Sequence, residues 1–335
     1  MNRIVVVGTS SGGLDALRTV AGNLTSDFPA PICAVVHTAP DSPGLIHEIV
    51  GRATSLTTVS LRNSAKLEAG TIYFPPPDCH LVVEPSRVRA TKGPKENRFR
   101  PAIDPLFRTA AQVFGPAAIG VILTGNLDDG TAGLAAIKKL GGKAVVQDPR
   151  DALFPDMPQS ALSHVEVDYC VPLNKIAPLL VDLTRQSIPA AAVPIPKDLE
   201  TEVRIAREEN PMAAGLEQIA KPSRFACPEC HGVLLELADE GHLRFRCHTG
   251  HAYSIHSLLA AYGDQIEGSL WKAIRSLEET ALLLDTFTRH VKTAHAAPDT
   301  ASLEVRAAEA RKDAETLREL VGGRASLVAA GKADQ

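Results

Sequence analysis

The sequence lacks the features of secreted, membrane-spanning and nucleic-acid-binding proteins. It has only six cysteines in 335 residues, too few for a disulfide scaffold. No apolar run approaches the roughly 20 residues that a transmembrane helix needs, and the N-terminus opens on a strand-like stretch without the pattern of a signal peptide. With 35 Lys and Arg against 39 Asp and Glu, the chain has no basic excess. We therefore expect a cytoplasmic protein that neither inserts into membranes nor binds nucleic acid.

Short apolar strands alternate with helical patterns up to about residue 187. The clearest strands are 5–7, Ile32–Val36 and 119–123. Nearly continuous apolar strands separated by helices are typical of a parallel sheet that is covered on both faces. The pattern predicts a doubly wound, mostly parallel α/β domain over residues 1–187. Inside it, the strand-like pieces Thr71–Phe74 and His80–Glu84 predict an antiparallel hairpin or an addition at the sheet edge.

The composition changes beyond residue 187. Residues 188–222 hold five prolines and a charged run, which predict a linker with room for one short helix. A compact Cys/His module is expected over 223–262. Two helical patterns over 263–329 predict an antiparallel helical hairpin that buries its own seam, and this hairpin is also a candidate surface for self-association.

A Gly-rich turn joins the first strand to the first helical pattern. Gly8-Thr9-Ser10-Ser11-Gly12-Gly13 contains the G-x-S-x-G spacing of a nucleophile elbow, in which a sharp turn exposes a serine hydroxyl. A dinucleotide site is the first alternative, but it expects an acidic residue about 20 positions further on, where this chain has His37. The second alternative is a serine that only caps the helix.

Two more polar groups follow strands of the predicted sheet. His37 comes directly after the second strand, and the loop 124–130 after a third strand carries Asp128 and Asp129. Because the carboxyl ends of parallel strands meet at one edge of a sheet, Ser10, His37 and an Asp can converge there as a catalytic triad. A structural histidine at a strand end is the alternative for His37.

These motifs resemble the catalytic domain of the chemotaxis protein-glutamate methylesterases (CheB type). The resemblance spans about residues 1–187. Residues 8–13 are similar to the family's G-[AT]-S-[TS]-G-G, 36–40 to Q-H-x-x-P, and 123–130 to L-T-G-M-G-x-D-G; Arg100-Pro101-Ala102-Ile103-Asp104 and Met157-Pro158 match two further segments. The resemblance implies that Ser10 is the nucleophile, His37 the general base and Asp129 the residue that orients it.

The same resemblance implies an activity. It indicates a serine hydrolase that removes methyl esters from glutamyl side chains of chemoreceptor helices or related signalling proteins, releases methanol, and also deamidates glutamine, with no catalytic cofactor. The oxyanion donors are then backbone N–H groups at Ser11 and Asn126. We expect no receiver domain in cis. Because Leu127 stands where the family has glycine, we expect this loop to follow another path. A catalytically weak, receptor-binding scaffold with the same fold is the alternative.

Cysteine and histidine pairs flank a hairpin-like stretch near the C-terminus. Cys227 and Cys230 form a C-x2-C pair, and Cys247 and His251 a C-x3-H pair. Such paired spacing predicts a tetrahedral, structural zinc site of the ribbon kind, with free thiols as the alternative. The rival fourth ligands are His231, His248 and His256; the likeness of this tail to a module found in receiver-less members of the esterase family favours His251.

A basic loop and two aspartates near the motifs have open roles. The basic loop from Lys92 to Arg100 is either solvated or a docking rim for acidic helices. Asp104 either supports the site or caps the helix that follows it. We expect Asp128 to be solvated.

Overall fold

The structure, a computed structural model, describes residues 3–188, 193–237, 242–293 and 300–330. The chain divides into two compact units, Met1–Leu258 and Leu259–Gln335. The first unit contains a seven-stranded sheet, a four-stranded sheet and a three-stranded sheet. Within the described ranges, no helix is both long and apolar enough to cross a membrane.

The largest sheet is entirely parallel, and the first strand lies near its centre. The order across the sheet is β10 (Tyr169–Val171), β9 (Lys143–Gln147), β8 (Ala118–Ile122), β1 (Ile4–Thr9), β2 (Ile32–Val36), β5 (Thr71–Phe74) and β3 (Thr57–Ser60). The chain leaves β1 toward β2 and later returns to β8 on the opposite side. The strand order therefore reverses beside β1, where open α/β sheets bind their ligands at the carboxyl ends of the strands.

Helices cover both faces of this sheet. In β1, Ile4 and Val6 belong to one buried cluster, and Val5 and Val7 belong to the other. The first cluster includes residues of α3 (Ile103–Phe114), α4 (Thr131–Lys139), α5 (Asp156–His164) and α7 (Lys197–Ala206); the second includes residues of α1 (Gly13–Gly22), α2 (Ile46–Gly51) and α6 (Leu173–Arg185). The doubly wound α/β fold predicted from the sequence is confirmed.

The region between residues 56 and 100 differs in detail from the prediction. β5 is not half of a hairpin, since it runs parallel between β2 and β3. All four of its residues are buried, as is typical of a strand inside a parallel sheet that is covered on both faces. The antiparallel sheet is formed instead by β6 (His80–Glu84), β7 (Arg87–Thr91) and β4 (Ser64–Lys66).

The stretch 188–222, predicted as a linker, contains packed structure. Helix α7 buries Leu199 and Val203 in the same cluster as α3, and the short α8 (Leu216–Ile219) follows. This is the one short helix that the sequence allowed within the linker. Leu199 and Val203 lie one turn apart and form its apolar face, although the stretch is rich in charged residues. This helix belongs to the first unit together with the Cys/His module.

A buried cluster of charged side chains joins that module to the α/β domain. Arg244 makes two hydrogen bonds to Glu202, at 2.8 and 2.9 Å, and Arg246 bonds both Glu202 (2.8 Å) and Glu96 (3.0 Å). Arg108, a residue of α3, forms an ion pair with Glu96. Burial alone would raise the pKa of Glu202, but the guanidinium groups of Arg108, Arg244 and Arg246 outweigh burial and hold this pKa well below its usual value.

The remaining elements are a small sheet and two long helices. The sheet is antiparallel, in the order β11 (Ala220–Ala226), β12 (Val233–Leu237), β13 (Arg244–Cys247) and β14 (Ala252–Ser254). Helix α9 (Ile255–Thr293) begins eight residues before the predicted hairpin and is followed by α10 (Thr300–Ala330). In the second unit, the seam includes the buried residues Ile274, Ala281, Ala307, Ala310 and Ala314. Self-association through these helices stays a prediction.

Removing one member of the buried charge cluster should destabilise the first unit strongly. In Glu202→Ala, Arg244 and Arg246 lose their shared carboxylate, and we expect the free energy of unfolding in urea to fall by about 3–5 kcal/mol. Glu200→Ala, an exposed change on the same helix, is the control and should stay within about 0.5 kcal/mol of the parent. Equal effects of the two variants would contradict this role of the cluster.

Candidate active site and metal centre

Ser10 lies in a sharp turn between β1 and α1. Its N–H donates to the carbonyl of Thr124 (3.0 Å), and its carbonyl accepts from the N–H of Gly13 (2.9 Å). Gly12 has φ 71°, in the left-handed region where a side chain is costly, and it precedes the first helical residue. This turn holds the Ser10 hydroxyl at the carboxyl edge of the sheet, above the N-terminus of α1.

His37 follows β2 and stands between Ser10 and Asp129. Its Nδ1 lies 3.1 Å from Ser10 Oγ, and its Nε2 lies 2.7 Å from Asp129 Oδ2. The ring of Phe99 stacks on the imidazole, with centroids 3.8 Å apart and planes 11° apart. The histidine side chain is only 3% exposed. If Nε2 donates its proton to Asp129, the lone pair of Nδ1 is left to accept the proton of Ser10.

The Asp129 carboxylate is buried and accepts several N–H groups. Oδ2 accepts from His37 and from the backbone of Ile103 (2.7 Å), and Oδ1 accepts from the side-chain amide of Asn97 (2.9 Å) and more weakly from the backbone of Asp104 (3.3 Å). Burial alone would raise the pKa of Asp129, but these donors, His37 first, lower it below its usual value. The carboxylate is therefore charged at neutral pH and can stabilise a protonated imidazole.

The two other acidic candidates have different neighbours. Asp128 is buried, contrary to the expectation that it is solvated: it accepts hydrogen bonds from Ser254 Oγ (2.7 Å) and His256 Nδ1 (3.1 Å). Asp104 accepts from the backbone N–H of Gly133 (2.7 Å). Burial, together with the nearby charge of Asp129, raises the pKa of Asp104 to about 7.

Sequence reasoning missed Asn97 and Phe99. Asn97 donates to both Asp104 (3.0 Å) and Asp129, and Phe99 covers the face of His37. The available signal was their place directly before the Arg100-Pro101 segment. Asn97 and Arg98 both have positive φ, 49° and 76°, and asparagine is one of the few residues that enter this region readily.

The predicted oxyanion donors lie on two loops that touch. The side chain of Asn126 donates to Ser11 Oγ (2.9 Å), and neither backbone N–H of this pair has an acceptor among the residues that the structure describes. Gly125 permits the approach, because a Cβ at this position would lie 2.8 Å from Ser10 Cβ and 2.1 Å from Met157 Sδ. The fold itself therefore engages neither N–H group within the described residues.

A groove of about 470 Å³ adjoins Ser10 and His37, and Lys95, Arg98 and Arg100 line its other side. The basic loop is already partly neutralised. Arg100 donates to Asp78 at 2.9 and 2.8 Å, and Lys95 pairs with Glu229 at 3.0 Å. These ion pairs weaken the interpretation of the loop as a docking rim for acidic helices.

The predicted metal ligands form one cluster. Their donor atoms all lie within 4.8 Å of one another; the residues are Cys227, Cys230, Cys247 and His251. Nδ1 of His251 lies 3.7 Å from the sulfur of Cys227 and 3.6 Å from that of Cys247, and the sulfurs of Cys230 and Cys247 are 3.6 Å apart. A tetrahedral site with metal–sulfur bonds of about 2.3 Å and metal–nitrogen bonds of about 2.0 Å has ligand separations of about 3.5–3.8 Å. This group can therefore hold a metal ion, and the rival histidines lie outside it.

Comparisons with known proteins find relatives of the α/β part of the chain. A family model described as CheB methylesterase matches residues 5–180. A Leptospira interrogans protein, provisionally named protein-glutamate methylesterase/protein-glutamine glutaminase, is 37% identical over 55% of this chain and 96% of its own. A Rhizobium meliloti protein, named protein-glutamate methylesterase/protein-glutamine glutaminase of group 3 operon, is 34% identical over 54% of this chain and 52% of its own, so the match spans about half of that relative.

A solved structure gives the same result. The crystal structure of the Thermotoga maritima CheB methylesterase catalytic domain is 32% identical to this chain and superposes with a TM-score of 0.52, over 55% of this chain and 99% of that domain. The residues matched by the family model, 5–180, do not include the Cys/His cluster.

Leu127 gives a test of the oxyanion loop. Leu127 adopts φ 62°, in the left-handed region, at a steric cost of about 1–2 kcal/mol. That the loop follows another path than in the family stays a prediction. Leu127→Gly should be more stable to urea than Leu127→Ala by about 1 kcal/mol, because both lose the same contacts and only Ala keeps a Cβ. An Ala variant as stable as the Gly variant would show that no strain resides here.

Proposed function

The chain belongs to the CheB methylesterase family, and from that premise we propose that it hydrolyses methyl esters on glutamyl side chains of chemoreceptor-like signalling proteins, with Ser10, His37 and Asp129 as its catalytic triad. The observation that carries this proposal is the continuous set of hydrogen bonds from Ser10 Oγ through the imidazole to Asp129, at 3.1 and 2.7 Å. Both distances are within the reach that proton transfer requires.

In the first half of the reaction, Ser10 Oγ attacks the ester carbonyl carbon while His37 Nδ1 takes the hydroxyl proton. The carbonyl oxygen becomes an oxyanion, and the N–H groups of Ser11 and Asn126 donate hydrogen bonds to it. Asp129 stabilises the imidazolium through Nε2–H. The intermediate then collapses: the carbon–oxygen bond to the methoxy group breaks, the proton of Nδ1 passes to this group, and methanol leaves.

In the second half, water replaces methanol. His37 removes a proton from the water as its oxygen attacks the acyl group on Ser10, and a second oxyanion forms at the same donors. The bond to Ser10 Oγ breaks, the proton returns to the serine, and a glutamate side chain is released. A glutamine side chain can follow the same steps with ammonia as the leaving group, which supports the proposed deamidation.

The proposed partners are methylated chemoreceptor helices or related signalling proteins. A methyl ester is uncharged, so its binding needs no unpaired cation, in keeping with the ion pairs of Lys95 and Arg100. The groove beside Ser10 is open along the surface of the loop 94–100 and suits a side chain presented by a larger protein. Since these receptor helices are cytoplasmic, the proposal places the reaction in the cytoplasm.

A receptor-binding scaffold without turnover is the second candidate. Its support is the strained Leu127 in the oxyanion loop. Against it stands the burial of His37 and Asp129, whose side chains are 3% and 2% exposed. A scaffold has no need to bury a charged carboxylate against an imidazole, since burial of a charge is costly unless it is paired.

The metal of the Cys/His cluster is proposed to be zinc. Three thiolates and one imidazole are ligands that zinc prefers, and four protein ligands leave no position open for a substrate. The cluster lies in a four-stranded sheet whose strands have three to seven residues, too small to fold on its own apolar core. The proposed role of zinc is therefore structural, and catalysis needs no cofactor.

Loss of the serine hydroxyl should abolish hydrolysis. We expect Ser10→Ala to reduce methanol release from a methylated receptor peptide at least about 10⁴-fold, because the reaction loses its nucleophile. Ser26→Ala, an exposed serine of the same unit, is the control and should retain full activity. Equal methanol release by the parent chain and Ser10→Ala would end the esterase proposal.

Metal analysis tests the zinc site separately. The purified chain should contain about one zinc ion per molecule, and Cys247→Ser should lose it because a hydroxyl is a poor zinc ligand. Cys170→Ser, which changes an exposed thiol outside the cluster, should keep its zinc. A zinc-free chain with a folded C-terminal sheet, or loss of zinc in both variants, would refute this assignment.

A further inference from the structure

The loop 94–100 lies between the Cys/His module and the triad. On the triad side, Phe99 stacks on His37 and Asn97 donates to Asp129. On the module side, the same loop contacts the metal-ligand turns and the strands next to them. The loop 94–100 therefore contacts both sites.

The loop docks on the module through both backbone and side chains. The N–H of Ala252 in β14 donates to the carbonyl of Lys95 (3.1 Å), and the N–H of Asn97 donates to the carbonyl of Ala252 (2.8 Å). The side chain of Lys95 pairs with Glu229 (3.0 Å), which lies between Cys227 and Cys230. The loop thus follows the edge of β14 in the manner of an added strand.

Pro94 and Glu96 make two more contacts with the turn between β13 and β14. Glu96 accepts from Arg246, the residue directly before Cys247. Gly250, one residue before His251, has φ 99°, and a Cβ at this position would lie 2.5 Å from Pro94 Cγ. The loop is therefore fitted closely to the turn that carries two of the four candidate metal ligands.

Both the oxygen and the nitrogen of the Asn97 side-chain amide are hydrogen-bonded. Its carbonyl oxygen accepts from the backbone N–H of Ser254 (2.9 Å) and from Ser257 Oγ (3.0 Å). Its amide nitrogen donates to Asp104 (3.0 Å) and Asp129 (2.9 Å). The reverse orientation would turn the carbonyl oxygen toward two carboxylates and the NH2 group toward the backbone N–H of Ser254, so the carboxylates and the module together fix which end of the amide faces the triad.

We propose that Asn97 is a positioning residue for the triad and that the metal-loaded Cys/His module holds it in place, so that metal binding and ester hydrolysis are coupled through Asn97. This inference rests on the proposed function. Asn97 touches no substrate atom; it acts through Asp129, whose carboxylate it fixes beside His37. The module supplies both donors that orient its amide.

The coupling has a direct structural route. Cys247 ends β13 and His251 precedes β14, so a metal bound to both closes the turn between these strands. Arg246 and Ser254, which bind Glu96 and Asn97, lie one and three residues from those ligands. Without the metal, a module with so small a core loses the cross-link that holds these strand ends, and the loop loses its support.

Kinetics on four samples test the route. In the metal-loaded protein, Asn97→Ala should lower kcat for a methylated receptor peptide about 10- to 100-fold and leave KM within about twofold, because the triad is misplaced while the groove is intact. Removal of the metal with a chelator should lower kcat of the parent chain by a similar factor. In Asn97→Ala the same removal should have little further effect.

The pattern of these effects decides between coupling and two independent losses. If metal removal lowers kcat of Asn97→Ala by the same factor as in the parent chain, the two effects multiply and the proposal is overturned. Ser257→Ala, which removes one of the two donors to Asn97, should show a smaller loss of kcat in the loaded protein. Ser276→Ala, an exposed change on the same helix, is the control and should have the kcat of the parent chain. If Ser276→Ala loses as much kcat as Ser257→Ala, the proposal is also overturned.

Hydrogen exchange tests the same claim without substrate. The amide protons of Asn97 and Phe99, which donate to Ala252 and Glu96, should exchange at least about tenfold faster in the metal-free chain, while those of β1 and β8 stay protected. Unchanged protection of the loop in a chain verified to be metal-free would overturn the proposal. This outcome is independent of hydrolysis, so it is distinct from a failure of the esterase assignment, which Ser10→Ala reports.

Discussion

The hydrogen bond between His37 and the buried carboxylate of Asp129 is the interaction on which the rest of the site depends. A charge in this position is tolerable only because donors reach it from separate parts of the fold: the imidazole after β2, the backbone at the start of α3 and the amide of Asn97. The parallel sheet places the imidazole of His37 beside Ser10. The loop 94–100 and α3 supply the others, so the triad is a product of the whole unit.

The Cys/His module is part of that same unit. Its strands β13 and β14 reach the α/β domain through the buried arginine and glutamate cluster and through the edge contact with the loop 94–100. Breaking a buried charge cluster costs far more than losing surface ion pairs, so the metal-loaded module is expected to stay docked while the domain is folded. A module that appears in sequence as an appendage therefore supports, in structure, the loop that lines the groove beside Ser10.

The sequence was sufficient for the elements with strong local signals. Apolar strands and Gly-flanked turns predicted the parallel sheet, and polar residues at strand ends predicted which side chains meet there. The paired ligand spacing predicted the Cys/His cluster. Helix α7 was indicated only as one short helix within a linker, because its charged residue Glu202 is buried against arginines from distant strands. Asn97 and Phe99 were hidden because their roles depend on long-range contacts that no local pattern records.

The central claim is that Ser10 is a nucleophile activated by His37. The most direct measurement is mass spectrometry of the chain after reaction with a fluorophosphonate, which modifies activated serines covalently. The account predicts one adduct, on the peptide that contains Ser10, formed at least about 10³-fold more slowly in His37→Gln because the hydroxyl proton has no acceptor. An adduct on another residue, or equal rates in the two proteins, would contradict it.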